Sequence, residues 1–358
     1  MTKAGRFALS AFILIGVAAS LAPLVETNLW WIRYLDFVRL QGAAALAITL
    51  ALYASFGGWR SVAGRGVVAL GIVALGLHAY RLYPYAGVVE AMAVATPACP
   101  AESRLKILVA NIQWGNRRSE ALFAIVARVK PDLFLVLETD EWWDAKLQDL
   151  GERFPDGIAH VPADANYFGM HLLSRYPLVE PRIGFYFGAD TPTVLTGVAL
   201  PDGREALFIG LHPRPPQFWD QPTTMRDAHL LAAALEARGS ERPSILAGDL
   251  NATPWEGVTR RAMRIGGLLD PRVGRGVYPT FDAQSWLMSW PLDQVLFQDS
   301  FGLAAWDVLP AFGSDHLPVM AELCLKPDLA ARQSAPALLA GDVDAAQAAL
   351  RAAKTMER

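Results

Sequence analysis

Near the end of the chain an acid and an imidazole stand side by side, Asp315 and His316, within "FGSDHLPVMAEL". They follow a Gly-Ser turn and precede an apolar stretch that reads as a buried strand. The same arrangement recurs upstream, where a polar side chain marks the edge of an apolar, β-rich run. "KILVANI" carries Asn111 at its end and "LFLVLETD" carries Glu138. "LFIGLHP" reaches His212, "SILAGDLNATP" reaches Asp249 and Asn251, and "PLDQVLF" opens with Asp293. One such residue ordinarily caps a turn. A whole series, each abutting a buried strand, points to a rigid sheet that presents functional groups to a cleft.

The residue types indicate one chemistry. Glu138 and Asp315 are hard oxygen donors suited to Mg²⁺ or Mn²⁺, and Asn111 could bind the same ion or its water shell. The sequence holds no Cys/His cluster for zinc, no Gly-Lys-Ser/Thr phosphate loop and no Gly-x-Ser-x-Gly elbow. A divalent ion, two histidines and an Asp/Asn pair suit the attack of water on a phosphate ester. Neighbouring side chains on a strand point to opposite faces. Asp315 and His316 can therefore share a cleft only if the pleat is irregular where the Gly-Ser turn enters the strand, and that irregularity is expected.

The elements that must position these groups lie between residues 104 and 326. "RLKILVANI" and "LFLVLE" read as strands, and "RSEALFAIVARVKPD" has helical spacing at Leu122, Ile125, Val126 and Val129. "MHLLSRYPLV" reads as a strand, and "TVLTGVALPDGREALFIGLH" as a hairpin around Pro-Asp-Gly. "TTMRDAHLLAAALEARG" reads as a helix that stops at glycine. "PSILAGDLN", "PLDQVLF" and "HLPVMAELCL" complete the strands. Strands mixed with a few helices over this length form one α+β domain with packed sheets.

The N-terminal part is of another kind. The chain is 53% hydrophobic with a mean hydropathy of +0.24, high for a soluble protein. Residues 7–25 and 40–59 are free of charge, and residues 66–80 lie between Arg65 and Arg81. At about 1.5 Å per residue the first two reach across a hydrocarbon core, and the third does so if its arginines snorkel. A signal peptide is the rival for the first stretch, but two more apolar runs follow it closely. Three spans put Lys3, Arg6, Arg60 and Arg65 on one side and Arg33, Arg39 and Arg81 on the other. That bias favours a cytoplasmic N-terminus, a multi-pass protein of the inner membrane and an extracytoplasmic C-terminal domain. The expected organisation is a membrane anchor of about three helices at 1–81, a proline-containing linker at 82–103, the catalytic domain at 104–326 and an Ala-rich, mobile tail at 327–358. Cys99 and Cys324 could pair in an oxidising compartment if the first and last strands of the domain are neighbours. Two free thiols fit the sequence as well.

"ANI", "PDLFLVLE", "LLSRYPL", "GDLNATP", "LDQVLF" and "SDHLPV" resemble, in this order, the motifs of the endonuclease/exonuclease/phosphatase superfamily, the deoxyribonuclease-I-like fold. The likeness covers residues 104–325, and the leading spans resemble those of a membrane-anchored bacterial branch. It implies a four-layer α/β sandwich, two packed β-sheets with helices outside. It implies that Asn111, Glu138 and Asp315 surround Mg²⁺ or Mn²⁺, that Asp249 positions or deprotonates the attacking water, and that Asn251 holds a phosphate oxygen. His316 would contact the scissile phosphate, Asp293 would fix its tautomer, and His212 would be a second catalytic histidine. The implied function is a membrane-anchored, metal-dependent phosphoesterase acting on nucleic acid, a phospholipid headgroup or a small phosphoester. The alternative is a catalytically silent receptor or scaffold that keeps the fold for binding.

Residues 101–325 carry 20 Lys/Arg against 28 Asp/Glu, a net of −8 that gives no general attraction for a duplex polyanion. Two features could still serve nucleic acid. One is a basic patch of Arg260, Arg261, Arg264, Arg272 and Arg275. The other is a set of stacking tryptophans at 142, 143, 255, 286 and 290. The proline-rich "PRPPQFWDQP" follows His212, where repair nucleases of the superfamily carry DNA-contacting loops.

Overall fold

The computed structural model describes residues 2–163, 167–188, 190–216 and 222–356. Two six-stranded sheets form its centre. The first contains β1 (Arg104–Asn111), β2 (Leu133–Leu137), β3 (Asp156–His160), β4 (Met170–Ser174), β11 (Phe301–Val308) and β12 (Val319–Leu325), in the order β11-β12-β1-β2-β4-β3. The second contains β5 (Leu178–Gly184), β6 (Thr193–Ala199), β7 (Glu205–Leu211), β8 (Ser244–Asp249), β9 (Leu268–Leu269) and β10 (Asp293–Gln298), in the order β5-β6-β7-β8-β10-β9. Only β1/β2 and β7/β8 run parallel. Each parallel pair needs a crossover. Helix α5 (Ser119–Val129) lies in the first and α7 (Thr224–Gly239) in the second.

The period of two sorts the side chains. Leu105, Ile107 and Val109 of β1 and Leu133, Leu135 and Leu137 of β2 enter the core between the sheets, where Phe208, Ile245 and Val295 face them. Leu108, Ala110, Phe134 and Val136 turn outward under α5 and α6 (Glu141–Leu147), packed on Leu122, Val126 and Trp143. On the far side α7, α8 (Gly257–Gly266) and α9 (Asp342–Met356) cover the second sheet. Strands covered on both faces must be apolar on both, which is why "LFLVL" does not alternate. The result is the four-layer sandwich.

"MHLLSRYPLV" is not one strand. It breaks at Arg175-Tyr176-Pro177, where the chain leaves the first sheet and enters the second. The tail is not loose either. Ala346 and Ala353 of α9 are buried, and Asp342 pairs with Arg264 at 2.7 Å and with Arg261 at 3.4 Å. Residues 82–103 carry little regular structure but lie against the domain. Ala93 joins the inter-sheet core, Thr96 N–H donates to the Leu303 carbonyl at 2.8 Å, and Cys99 is disulfide-bonded to Cys324 with their Cα atoms 5.7 Å apart.

At the N-terminus, α1 (Lys3–Leu21), α3 (Arg39–Ser55) and α4 (Val62–Leu82) pack through Ile13, Val17, Leu46, Leu50 and Ala74. The segments Lys3–Leu24 and Val62–Tyr85 are each long and apolar enough to cross a membrane. The middle stretch reaches that status only together with α2 (Trp30–Phe37), from which α3 is bent by 73°. Phe7, Ile15, Ile48, Ile72 and Val73 face outward.

Candidate active site

Register brings the polar residues together. Asn111 ends β1 and Glu138 follows β2, so the parallel pair delivers both at one edge. The parallel pair β7/β8 does the same with His212 and Asp249. The antiparallel neighbours contribute their starts: Asp293 lies opposite Asp249, and Val319 lies opposite Val109. Residues just before Val319, Asp315 and His316 among them, therefore reach the same edge. Regular pairing begins only at Val319, so the expected irregularity is present.

Local backbone serves this arrangement. Gln113, Glu138 and Asn251 have φ of 60°, 64° and 48°. Half of the described non-glycine residues with positive φ thus cluster here, the mark of strain held at a functional site. Gly248 has φ of 147°, and a Cβ there would collide with the Leu211 carbonyl oxygen beside His212. The glycine of "GDLN" lets β8 pass this close to β7.

The resulting cleft is about 320 Å³ and is lined by Glu138, His212, Asp249, Asn251, Asp315 and His316, with Gln113, Trp114 and Tyr167 beside them. Asn111 lies beneath and is buried. Its Nδ2 donates to Glu138 Oε1 at 2.8 Å and to Asp249 Oδ2 at 3.2 Å, while its Oδ1 accepts from Gln113 N at 3.0 Å. Glu138 Oε2 accepts from Trp114 N at 2.8 Å. Two imidazoles aim at one carboxylate oxygen: His212 Nε2 is 3.6 Å and His316 Nε2 3.7 Å from Asp249 Oδ2. Both lie just beyond hydrogen-bonding reach. Asp249 Oδ1 accepts from Asn251 N at 2.9 Å, and Asn251 Nδ2 donates to the Pro213 carbonyl at 2.9 Å.

Asp293 stands behind His316 and meets its Nδ1 at 2.8 Å, leaving Nε2 directed into the cleft. Burial works to lower the His316 pKa, but the Asp293 and Asp249 carboxylates outweigh it and push it up to about 10. Burial also raises the Asp315 carboxyl; His316 opposes this and the Glu138 charge adds to it. Three carboxylates line the cleft, and no Lys or Arg does so among the described residues. That donor set and charge fit a divalent cation. Asp249, Asp293 and His316 also bring ligand atoms within 4.8 Å of one another. In that group His316 Nδ1 already meets Asp293, whereas Glu138 and Asp315 place further carboxylate oxygens in the same cleft.

All eight residues singled out in the sequence thus gather at one end of the sandwich. The basic patch does not form. Arg260 reaches Tyr80, Arg261 and Arg264 bind Asp342, Arg272 is buried on Asp270, and Arg275 binds the Ala93 carbonyl. Of the tryptophans, Trp143 and Trp255 are core residues. Residues 217–221 of the proline-rich stretch lie outside the described residues. Sequence reasoning missed Gln113 and Trp114, two and three residues after Asn111, and Phe281, whose ring lies 4.7 Å from that of His316. It also missed Tyr34 and Phe37, which line the cleft from α2.

The fold and the polar cluster define a two-sheet α/β sandwich with its chemistry at one strand edge. The profile of the Endonuclease/Exonuclease/phosphatase family matches residues 108–316, and the chain belongs to that family. No curated sequence matches it. Among solved structures it is similar to the human Nocturnin catalytic domain with bound sulfate (18% identity, TM-score 0.51, 64% of this chain and 97% of that one). It is similar to an endonuclease/exonuclease/phosphatase from Beutenbergia cavernae (19%, 0.53, 63% and 72%). It also resembles D. rerio TDP2 complexed with single-strand DNA product (15%, 0.51, 62% and 99%). At these identities the likeness is one of fold.

Proposed function

We propose that the protein is a membrane-anchored, divalent-metal-dependent hydrolase of phosphate esters. The observation that carries this reading is the convergence on Asp249 Oδ2 of two imidazole Nε2 atoms, beside the carboxylates of Glu138 and Asp315 in a cleft that no described Lys or Arg lines. Glu138 and Asp315 would hold Mg²⁺ or Mn²⁺, with Asn111 fixing the Glu138 and Asp249 side chains from below. The ion, when bound, offsets negative charge on the phosphate oxygens. Asp249 orients a water and accepts one of its protons. The water oxygen bonds to phosphorus while the bond to the ester oxygen breaks, and the departing oxygen takes up a proton from an imidazole. His316, held as imidazolium by Asp293, supplies positive charge and an Nε2–H at the phosphate. His212 supplies the second Nε2, and Asn251 holds a phosphate oxygen.

The anchor consists of α1, α3 and α4. Arg33, Arg39 and Arg81 lie at its catalytic-domain end, since Arg33 pairs with Asp227 and Glu256 and Arg81 donates to the Trp255 carbonyl. Lys3, Arg6, Arg60 and Arg65 fall at the other end. The cation bias and the Cys99–Cys324 bond both favour a domain in an oxidising, extracytoplasmic space.

The test uses the full chain in dodecyl maltoside with bis-p-nitrophenyl phosphate and p-nitrophenyl phosphate. Hydrolysis is expected with Mg²⁺ or Mn²⁺, is abolished by EDTA, and falls at least about 100-fold in Glu138→Ala and His316→Ala. Hydrolysis that survives EDTA and both substitutions would overturn the metal mechanism. Absence of hydrolysis across a broad ester panel would leave a binding module.

A further inference from the structure

The cleft is walled in part by the membrane region. Tyr34 and Phe37 of α2 are among its lining residues, with His316. Their rings stack at 4.8 Å, Phe37 meets Trp290 at 5.8 Å, Trp290 meets Phe281 at 6.0 Å, and Phe281 meets His316 at 4.7 Å. An unbroken run of aromatic rings thus links the N-terminal helices to the imidazole. Helix α2 is fixed in place: Arg33 bonds Asp227 at 2.7 Å and Glu256 at 3.0 Å, and Trp255 Nε1 donates to the Asp36 carbonyl at 2.6 Å.

The segment from Phe281 to Trp290 forms the adjoining wall, and its base is tied to the site by Ala283 N–H donating to the Asp315 carbonyl at 2.7 Å. Its tip is apolar and bare. Trp286 is 93% exposed, Leu287 54% and Met288 41%. The Leu287 carbonyl accepts from Gln41 Nε2 at 2.6 Å, in the first turn of α3. The bare tip therefore lies where α3 leaves the catalytic domain, level with Leu40, which is itself 49% exposed. An exposed apolar tip continuous with lipid-facing helices is a bilayer-contacting surface.

We propose that this cleft takes the phosphate headgroup of a membrane lipid, entering sideways from the bilayer that holds α1, α3 and α4. The tip at Trp286–Met288 dips into that bilayer, and the lipid chains stay in the hydrocarbon. The proposal rests on the phosphoesterase reading above. The walls suit it: Tyr34, Phe37, Pro216, Phe281 and Leu292 are aromatic or apolar, and no described Lys or Arg lines a track for a polyanion.

The experiment uses the full chain in dodecyl maltoside micelles with Mg²⁺ or Mn²⁺. Two matched pairs are compared: p-nitrophenyl hexadecyl phosphate with p-nitrophenyl methyl phosphate, and hexadecyl phosphate with methyl phosphate. The long-chain ester of a cleaved pair is expected to have at least a 10-fold higher kcat/KM. The triple variant Trp286→Ser, Leu287→Ser, Met288→Ser is expected to bring that ratio towards one. Cleavage of both esters with a ratio near one in the wild type overturns the lipid assignment and leaves the phosphoesterase standing. A high ratio that persists in the triple variant also overturns it, since micelle partitioning then explains the preference. Cleavage of neither pair while bis-p-nitrophenyl phosphate is still hydrolysed overturns the lipid assignment alone, whereas absence of hydrolysis across the whole ester panel removes the phosphoesterase reading and this inference with it. A second readout does not depend on activity. A fluorophore on Trp286→Cys, in phosphatidylcholine nanodiscs, is expected to be quenched by doxyl-labelled lipid; quenching by aqueous iodide alone overturns the inserted tip.

Discussion

The Asp293–His316 pair sets the electrostatics of the site. With its pKa pushed up to about 10, the imidazole is charged at neutral pH. Its folded-state value lies above the unfolded one of about 6.5, so protonation of His316 contributes stability fully below pH 6.5, part of it offset by the burial that raises the Asp293 carboxyl. That contribution is lost as pH rises through about 10. In metal-free protein, ¹H–¹⁵N NMR should find both His316 nitrogens protonated at pH 8, and Asp293→Asn should bring the titration down towards the ordinary histidine range. An imidazole that titrates normally in both proteins would contradict the geometry. The eight polar residues could be read from sequence because each adjoins an apolar run long enough to be a buried strand. Tyr34 and Phe37 could not: their place in the cleft depends on how α2 docks some 200 residues from the groups it faces, and an aromatic pair in an apolar region carries no local sign of that.

Among elements, the contact of α2 with the loop after β8 matters most. Glu256 is fully buried between Arg33 at 3.0 Å and Arg226 at 2.8 Å, and Arg226 also binds the Asn251 carbonyl at 2.8 Å. Burial opposes the charge of Asp227, but Arg226 and Arg33 hold its carboxyl below the usual carboxylate range. Removing one member of a buried ion cluster costs about 3–5 kcal/mol, and Arg33→Ala should fall at the lower end because Arg226 remains. The expected signature is a lower thermal midpoint in detergent together with a lower kcat, because α2, which brings Tyr34 and Phe37 to the cleft, loses part of its hold on the domain. Unchanged unfolding would show that α2 is not held by this cluster. Helix α9 offers a second test. Arg264 holds the Asp342 carboxyl down to about 2, so this anchor stabilises the fold above about pH 4 and is lost as pH falls through about 2. Asp342→Asn should raise amide exchange across residues 342–356 at neutral pH. The sequence showed α9 as a helix but hid its docking, because alanines make a weak apolar stripe that fits only a close-packed partner. The strand break at Pro177 was hidden for another reason: both halves are apolar, and only the change of sheet separates them.

For the molecule as a whole, charge and covalent closure carry the consequences. A catalytic region with a net charge of −8 and no described Lys or Arg along its cleft should show little counterion release on binding substrate. The kcat/KM for a soluble ester should change less than about twofold between about 50 and 200 mM salt, whereas a steep decline would indicate polyanion recognition. The disulfide closes a loop with a sequence separation of 225, for which the chain-entropy model gives about 5 kcal/mol. Cys324→Ala should therefore lower the thermal midpoint, and reductant should do the same to the wild type but not to the variant.

That bond has a further effect on how the chain comes apart. Its partners flank nearly the whole sandwich, so a protease that nicks the bare tip at Trp286 leaves two pieces held by one covalent link. On a gel run without thiol the nicked protein would migrate as a single band. Only after reduction would a fragment of about 70 residues be released from the part that carries the N-terminal helices.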